Sequence, residues 1–168
     1  MGDKTPANVW GMDRLLGIFP DAKFVHLIRD GIDVVHSWSR IEKYKGEVSR
    51  PARRWKSAVT AAQHFADKHL DRLLEVRHEE LCRTPEETLK KVCQFVDLSY
   101  EPDMVSRTDH YDEMRKAQAL THYKNDFESI STDSIGKGRR NLSQPQKEKV
   151  AASIEDELVR QGYAPVQA

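Results

Sequence analysis

The sequence predicts an α/β fold, a parallel sheet flanked by helices, and three observations point to it. Phe24, Val25, Leu27 and Ile28 form a short apolar run of the kind buried in a parallel strand. The run stops at Arg29 and turns through Asp30-Gly31 into a helix. Most of what remains carries helical periodicity, so the fold should be helix-rich.

The elements follow in order. Pro6 and the spacing of Trp10, Leu15, Leu16 and Phe19 predict a helix from about Asn8 to Phe19, ended by Pro20. After the strand, a helix should run from near Gly31 to about Tyr44. Pro51 can open a long helix that places Trp55, Val59, Ala62, Phe65 and Ala66 on one face and reaches about Leu70. On that stripe Trp55 and Phe65 read as core. Leu73 to Arg77 is the one further strand candidate. A two-stranded core is marginal, so exposed apolar surface, pairing with a second copy, or reliance on a further N-terminal part is expected.

Thr84-Pro85-Glu86-Glu87 reads as a capping box that starts a helix through Leu89, Val92, Cys93 and Val96. Residues from about Ser99 to Ser134 lack sustained periodicity, and either a lid over a ligand or plain disorder fits a loop of that length. Ser143-Gln144-Pro145-Gln146 is a second capping box. It is followed by Val150, Ile154, Leu158 and Val159, with Gly162 as the C-cap.

Composition narrows the function classes. The 168 residues suit one domain, and 27 basic against 27 acidic residues leave no global field favouring nucleic acid or an anionic membrane. Any anion site must therefore be local. Hydrophobic content of 38%, charged content of 32% and a mean hydropathy of −0.72 describe a soluble, highly charged chain. No apolar run approaches the ~20 residues of a membrane span, and a cytoplasmic location is expected if the chain is complete. Cys82 and Cys93 lack CxxC spacing and read as reduced packing residues. The seven histidines offer no pair at the i, i+4 spacing of a helical zinc site: His64 and His69 are five apart, His110 and His122 twelve apart. No metal is expected. His26 should line a sheet surface or a packed crevice, and His36 the surface of its helix.

The sharpest feature is the junction of strand and helix. Arg29 ends the strand at a carboxyl edge, where open α/β sheets bind ligands and the next helix offers unpaired N–H groups to an anion. Ser37 lies eight positions further on. An arginine fork and a hydroxyl could share one phosphate there. Equally, Arg29 could pair with Asp30 or Asp33 and leave Ser37 an ordinary helix residue. The residues alone leave both readings open.

Asp3-Lys4-Thr5-Pro6, Leu15-Leu16, Phe19-Pro20-Asp21-Ala22-Lys23-Phe24 and Leu27-Ile28-Arg29-Asp30-Gly31 together resemble the middle of a sulfotransferase that uses 3′-phosphoadenosine 5′-phosphosulfate (PAPS). Val76-Arg77-His78-Glu79-Glu80-Leu81 is similar to the family's Arg-Tyr-Glu-Asp-Leu segment, and Ile135-Gly136-Lys137-Gly138-Arg139-Arg140-Asn141 resembles its basic loop. The resemblance implies a P-loop-like parallel sheet, here incomplete, and one partial domain over residues 1–168. It implies that Arg29 and Ser37 bind the 3′-phosphate, that Gly136, Lys137 and Arg139 close over it, and that Lys4 stabilises charge beside the transferred sulfuryl group. His78 stands where the family has a tyrosine near the adenine, and Gly138 where it often has tryptophan. The implied co-substrate is PAPS, the acceptor a hydroxyl or amine.

The family's N-terminal strand, phosphate loop and helix have no counterpart before Lys4. The expectation is thus either the C-terminal portion of a longer enzyme or a shortened paralogue, inactive as this isolated chain. The alternatives are a non-catalytic remnant binding adenosine 3′,5′-bisphosphate or a protein partner, and a different P-loop-like transferase. Against the last stands the lack of a Gly-x-x-x-x-Gly-Lys-Ser/Thr run. Neither the acceptor nor the general base is legible.

Overall fold

A computed structural model describes residues 2–105 and 130–166. The central part of the long aperiodic segment, with His110 and His122, lies outside the described residues. The chain divides into two compact units, one of residues 1–75 and 133–168, the other of residues 76–132.

The first unit holds the predicted strand. β1 (Phe24–Ile28) pairs in parallel with β2 (Leu73–Arg77), at the bounds read from the sequence for both. Successive side chains of a strand point to opposite faces. On one face Phe24 and His26 are half-buried and Ile28 is buried, while Val25 and Leu27 on the other are 42% and 51% exposed. The run was expected to be buried as in a complete parallel sheet. With two strands only one face is covered among the described residues, and the exposed apolar surface expected of so small a sheet is present.

Before β1, the single expected helix is broken in two. A 3₁₀ turn covers Pro6–Trp10 and α1 covers Met12–Ile18, with Gly11 between them at φ −123°, outside the helical region. After β1, α2 (Gly31–Ser39) starts where expected, with the Asp30 side chain accepting from Ile32 N at 2.9 Å as its N-cap. It ends five residues early. Ser39 Oγ bonds back to the His36 carbonyl at 2.9 Å, and a separate 3₁₀ turn, Glu42–Tyr44, follows.

α3 (Ser49–Lys68) is the long amphipathic helix, with Trp55, Val59, Ala62 and Phe65 buried as read. Near the C-terminus lie the short α6 (Lys137–Asn141) and α7 (Gln144–Arg160). Gln146 Oε1 accepts from Ser143 N at 3.0 Å, the returning half of the predicted box, and Gly162 follows α7 at φ 72°.

The main core joins Ile28, Ile32 and Val35 from the β1–α2 junction, Ala52, Trp55 and Val59 from α3, and Val150, Ile154 and Leu158 from α7. Full burial of each large apolar side chain is worth about 1.5–3 kcal/mol. The junction carrying Arg29 is therefore held by residues more than a hundred positions away. Trp55 Nε1 also donates to the Arg29 carbonyl at 3.0 Å, fixing the backbone where strand becomes helix.

The second unit contains α4 (His78–Arg83) and α5 (Pro85–Phe95). Its capping box does not form: Thr84 makes no side-chain cap bond to α5, and its hydroxyl instead donates back to the Glu80 carbonyl at 3.3 Å. Cys93 is buried with Sγ 3.6 Å from Met104 Sδ, and Cys82 and Cys93 are not joined in a disulfide.

Candidate functional site

Four of the sequence-predicted site residues belong to one assembly in the first unit, and a residue read only as a local ion-pair partner organises it. Asp33, on the first turn of α2, has a fully buried side chain. Its Oδ2 accepts from Gly136 N and its Oδ1 from Gly138 N, each at 2.7 Å, and Oδ2 lies 3.6 Å from Arg29 Nη2. One carboxylate thus ties the basic loop and the strand-end arginine to the same helix face, with short charge-assisted bonds.

The loop is shaped for this approach. Gly136 sits at φ 74°, a left-handed conformation that side chains rarely adopt. Gly138 lies directly against the backbone of α2 at Ile32 and Asp33. Both glycine N–H groups face Asp33, so Gly136 places Lys137 through its turn and does not present its own N–H to a ligand.

Arg29 is half-buried. Its Nη2 donates to the Ser134 carbonyl at 2.6 Å, while its Nε is buried and has no hydrogen-bond partner among the described residues. A buried, unpartnered guanidinium N–H is costly unless something accepts from it. Asp33 thus stands at Nη2 of Arg29, and among the described residues nothing accepts from its Nε.

Ser37 is exposed on the last turn of α2. It stands four residues after Asp33, one turn along the same face. His36 precedes Ser37 on α2 and is half-buried. Its pKa is lowered below the usual 6.5, chiefly by burial and then by Arg40, Arg29 and Lys137, against the opposing pull of Asp33. The unfolded chain then binds more protons at this site, so this contribution to stability is fully present above pH 6.5 and is lost as pH falls through the lowered value. His36→Asn should flatten the stability profile just below pH 6.5. Urea melts across that range check this, and an unchanged slope would refute it.

Arg139 has a different occupation from the one the resemblance implied. Its Nε bonds Asp30 Oδ2 at 3.0 Å, and its Nη1 and Nη2 each reach a carbonyl at 2.6 Å, those of Pro165 and Ala164. Its fork is filled by the chain's own acceptors, and it pins the C-terminal segment to the N-cap of α2. The Asp30 pKa is nevertheless raised, because burial outweighs the Ile32 N–H and Arg139.

Lys4 is exposed in the extended segment before the first 3₁₀ turn, where Asp3 accepts from Asn8 Nδ2 at 2.7 Å. His78 opens α4 in the second unit, with Nε2 3.6 Å from Cys82 Sγ one turn on. His26 packs on the sheet with Nδ1 3.1 Å from Glu75. No cluster of three or more His, Cys, Asp or Glu residues suited to a metal occurs among the described residues.

Residues 1–102 match the model of the sulfotransferase family. The chain is 29% identical over 104 residues to a protein-tyrosine sulfotransferase of Drosophila melanogaster, a stretch covering 58% of this chain and 21% of the fly protein. Its fold is similar to that of the sulfotransferase domain from the curacin biosynthetic pathway, with a TM-score of 0.76 and 18% identity over 97% of this chain and 62% of that domain. It is also similar to the sulfotransferase domain of the Synechococcus PCC 7002 olefin synthase, with a TM-score of 0.69 and 18% identity over 89% of this chain and 56% of that one. The chain thus spans a little over half of these solved domains and about a fifth of the fly protein.

Proposed function

The chain belongs to the sulfotransferase family, and from that premise we propose that its Arg29, Ser37 and Lys137 hold the 3′-phosphate of PAPS for sulfuryl transfer to an acceptor hydroxyl or amine. The observation that carries this reading is the Arg29 guanidinium, braced at Nη2 by Asp33 and Ser134 and with a buried Nε that has no partner among the described residues. A phosphate oxygen is a fitting acceptor for it. Lys137 adds a compact cation from the loop and Ser37 a hydroxyl from the helix face.

The bound nucleotide supplies the sulfuryl group, which passes to the acceptor as its bond to the 5′-phosphate breaks and adenosine 3′,5′-bisphosphate leaves. The described side chains act on the nucleotide's far end: they anchor and orient it, so that remote binding energy serves alignment at the reacting centre. Lys4, an exposed point cation, is assigned to the charge developing beside the sulfuryl group. The acceptor's proton requires a base that this set does not include.

Titration of the full chain with adenosine 3′,5′-bisphosphate tests the site, and radiolabelled PAPS tests turnover. Saturable binding is expected, weakened about tenfold in Arg29→Lys, because a lysine keeps the charge and loses the directed Nε donor. Equal affinity in the two proteins overturns the role of Arg29, and no binding to the native chain overturns the nucleotide reading. A second reading is nucleotide binding without turnover, since the residues assigned above include no base for the acceptor's proton. Binding with no labelled product from any acceptor pool would establish it.

A further inference from the structure

Outside the nucleotide site, four elements of the first unit build a ladder of alternating rings and cations. The Arg54 guanidinium lies 4.5 Å from the Trp10 ring and 5.9 Å from the Trp38 ring. Trp38 stacks on Tyr44, with centroids 5.7 Å apart and planes 10° from parallel. Arg50 and Lys43 stand 5.3 and 5.6 Å from the Tyr44 ring. Trp10 is 42% exposed and is fixed by a 2.9 Å bond from its Nε1 to Ser57 Oγ.

The charge around the ladder is one-sided. Arg40, Lys43, Arg50, Arg53 and Arg54 are all exposed. The neighbouring carboxylates are otherwise engaged: Glu47 accepts from Arg50 N at 2.7 Å and Glu42 lies 3.8 Å from Lys45. None of the five cations has a carboxylate partner among the described residues. From Ser49 onward α3 carries Arg50, Arg53, Arg54 and Lys56 and no acidic residue before Asp67. Cations crowd the positive end of a 20-residue helix, the reverse of what the helix dipole favours. In a chain of zero net charge, this segregation is a local feature that stability alone does not account for.

We propose that this ladder is a docking surface for an acidic polypeptide segment, one rich in aspartate and glutamate. A guanidinium stacked on a ring is held in orientation while its N–H fork stays open in plane, which is the geometry a carboxylate accepts in bidentate fashion. Arg54 lies against Trp10 and Trp38, and Trp38 against the buried Tyr44, so of the three rings Trp10 is the exposed one, beside five exposed cations, which favours carboxylates over the stacking of nucleobases or sugar rings. The inference stands independently of the nucleotide assignment.

The test is titration of the full chain with poly-L-glutamate, followed by tryptophan fluorescence, beside heparin and single-stranded DNA as competing polyanions. Saturable binding of polyglutamate is expected. The double variant Arg53→Gln, Arg54→Gln should weaken it about tenfold or more, and Arg54→Lys alone measurably, because the fork is lost while the charge stays. The double variant Lys147→Gln, Lys149→Gln removes the same charge from α7 and should change affinity by less than about twofold. Equal losses in the two double variants, tighter binding of heparin or DNA, or no binding of polyglutamate would each overturn the proposal.

Discussion

Replacing Asp33 with alanine is expected to remove about 3 kcal/mol of stability and to weaken adenosine 3′,5′-bisphosphate binding by roughly a hundredfold. The carboxylate accepts two backbone N–H groups at 2.7 Å and sits 3.6 Å from Arg29, with its side chain fully buried. Alanine leaves two N–H donors without an acceptor, each costing about 1–3 kcal/mol where it remains buried. It also strips Arg29 of its nearby counter-charge, and the loop bearing Lys137 loses both tethers to α2. Asp33→Asn keeps one acceptor oxygen but turns an NH₂ toward a second donor, so about half of each effect should remain. Urea unfolding reads the stability, and titration of the folded variants reads the affinity. A native midpoint for Asp33→Ala would refute the anchor. A large stability loss with unchanged affinity would make Asp33 architectural and detach the loop from the nucleotide.

How far such a site can be read from sequence depends on the distance over which each signal acts. The strand-to-helix junction was legible because its cues are adjacent: an apolar run, an arginine, then Asp30-Gly31, which the structure turns into an N-cap and the start of α2. β2, the apolar stripe of α3 and the Gly162 stop were legible for the same local reasons. The role of Asp33 was not. Its partners Gly136 and Gly138 lie 103 and 105 residues away, and no spacing rule connects them. Read locally, Asp33 was a neighbour that could neutralise Arg29; in the fold it braces Arg29 and, through Gly136 and Gly138, ties the distant loop to α2.

The contacts of Arg139 were out of reach for a related reason. The resemblance implied a ligand contact for it, and the carbonyls of Ala164 and Pro165 that its fork reaches come from a tail with no pattern of its own. The Thr84 box matched in residue type alone: the fold holds Thr84 at φ −133° and ψ 64°, and its hydroxyl turns back to α4.

Gly138→Ala should be nearly as damaging as the loss of Asp33, at about 2–3 kcal/mol, although it adds one methyl group. An added Cβ would run into the Ile32 carbonyl oxygen and stand 2.6 Å from the Ile32 carbonyl carbon and 2.9 Å from Asp33 Cα. These are backbone atoms of α2, and α2 is locked in place by Ile32 and Val35 in the core, so relief must come from the loop moving away. That movement lengthens both bonds to Asp33. Gly136→Ala is the control. Its Cβ would meet the flexible end of Arg140 at 3.0 Å, and the cost lies mainly in a left-handed φ of 74°, about 1–2 kcal/mol. Denaturant melts of the two variants should therefore rank Gly138→Ala below Gly136→Ala, and the reverse order would mean that the loop does not pack on α2 this closely. The contact also bears on the resemblance, which implies a tryptophan at this point of the loop. Where the backbone lies on α2 no side chain fits, so this loop is held by a buried carboxylate, and under the proposed function it is the side chain of Lys137 that it offers.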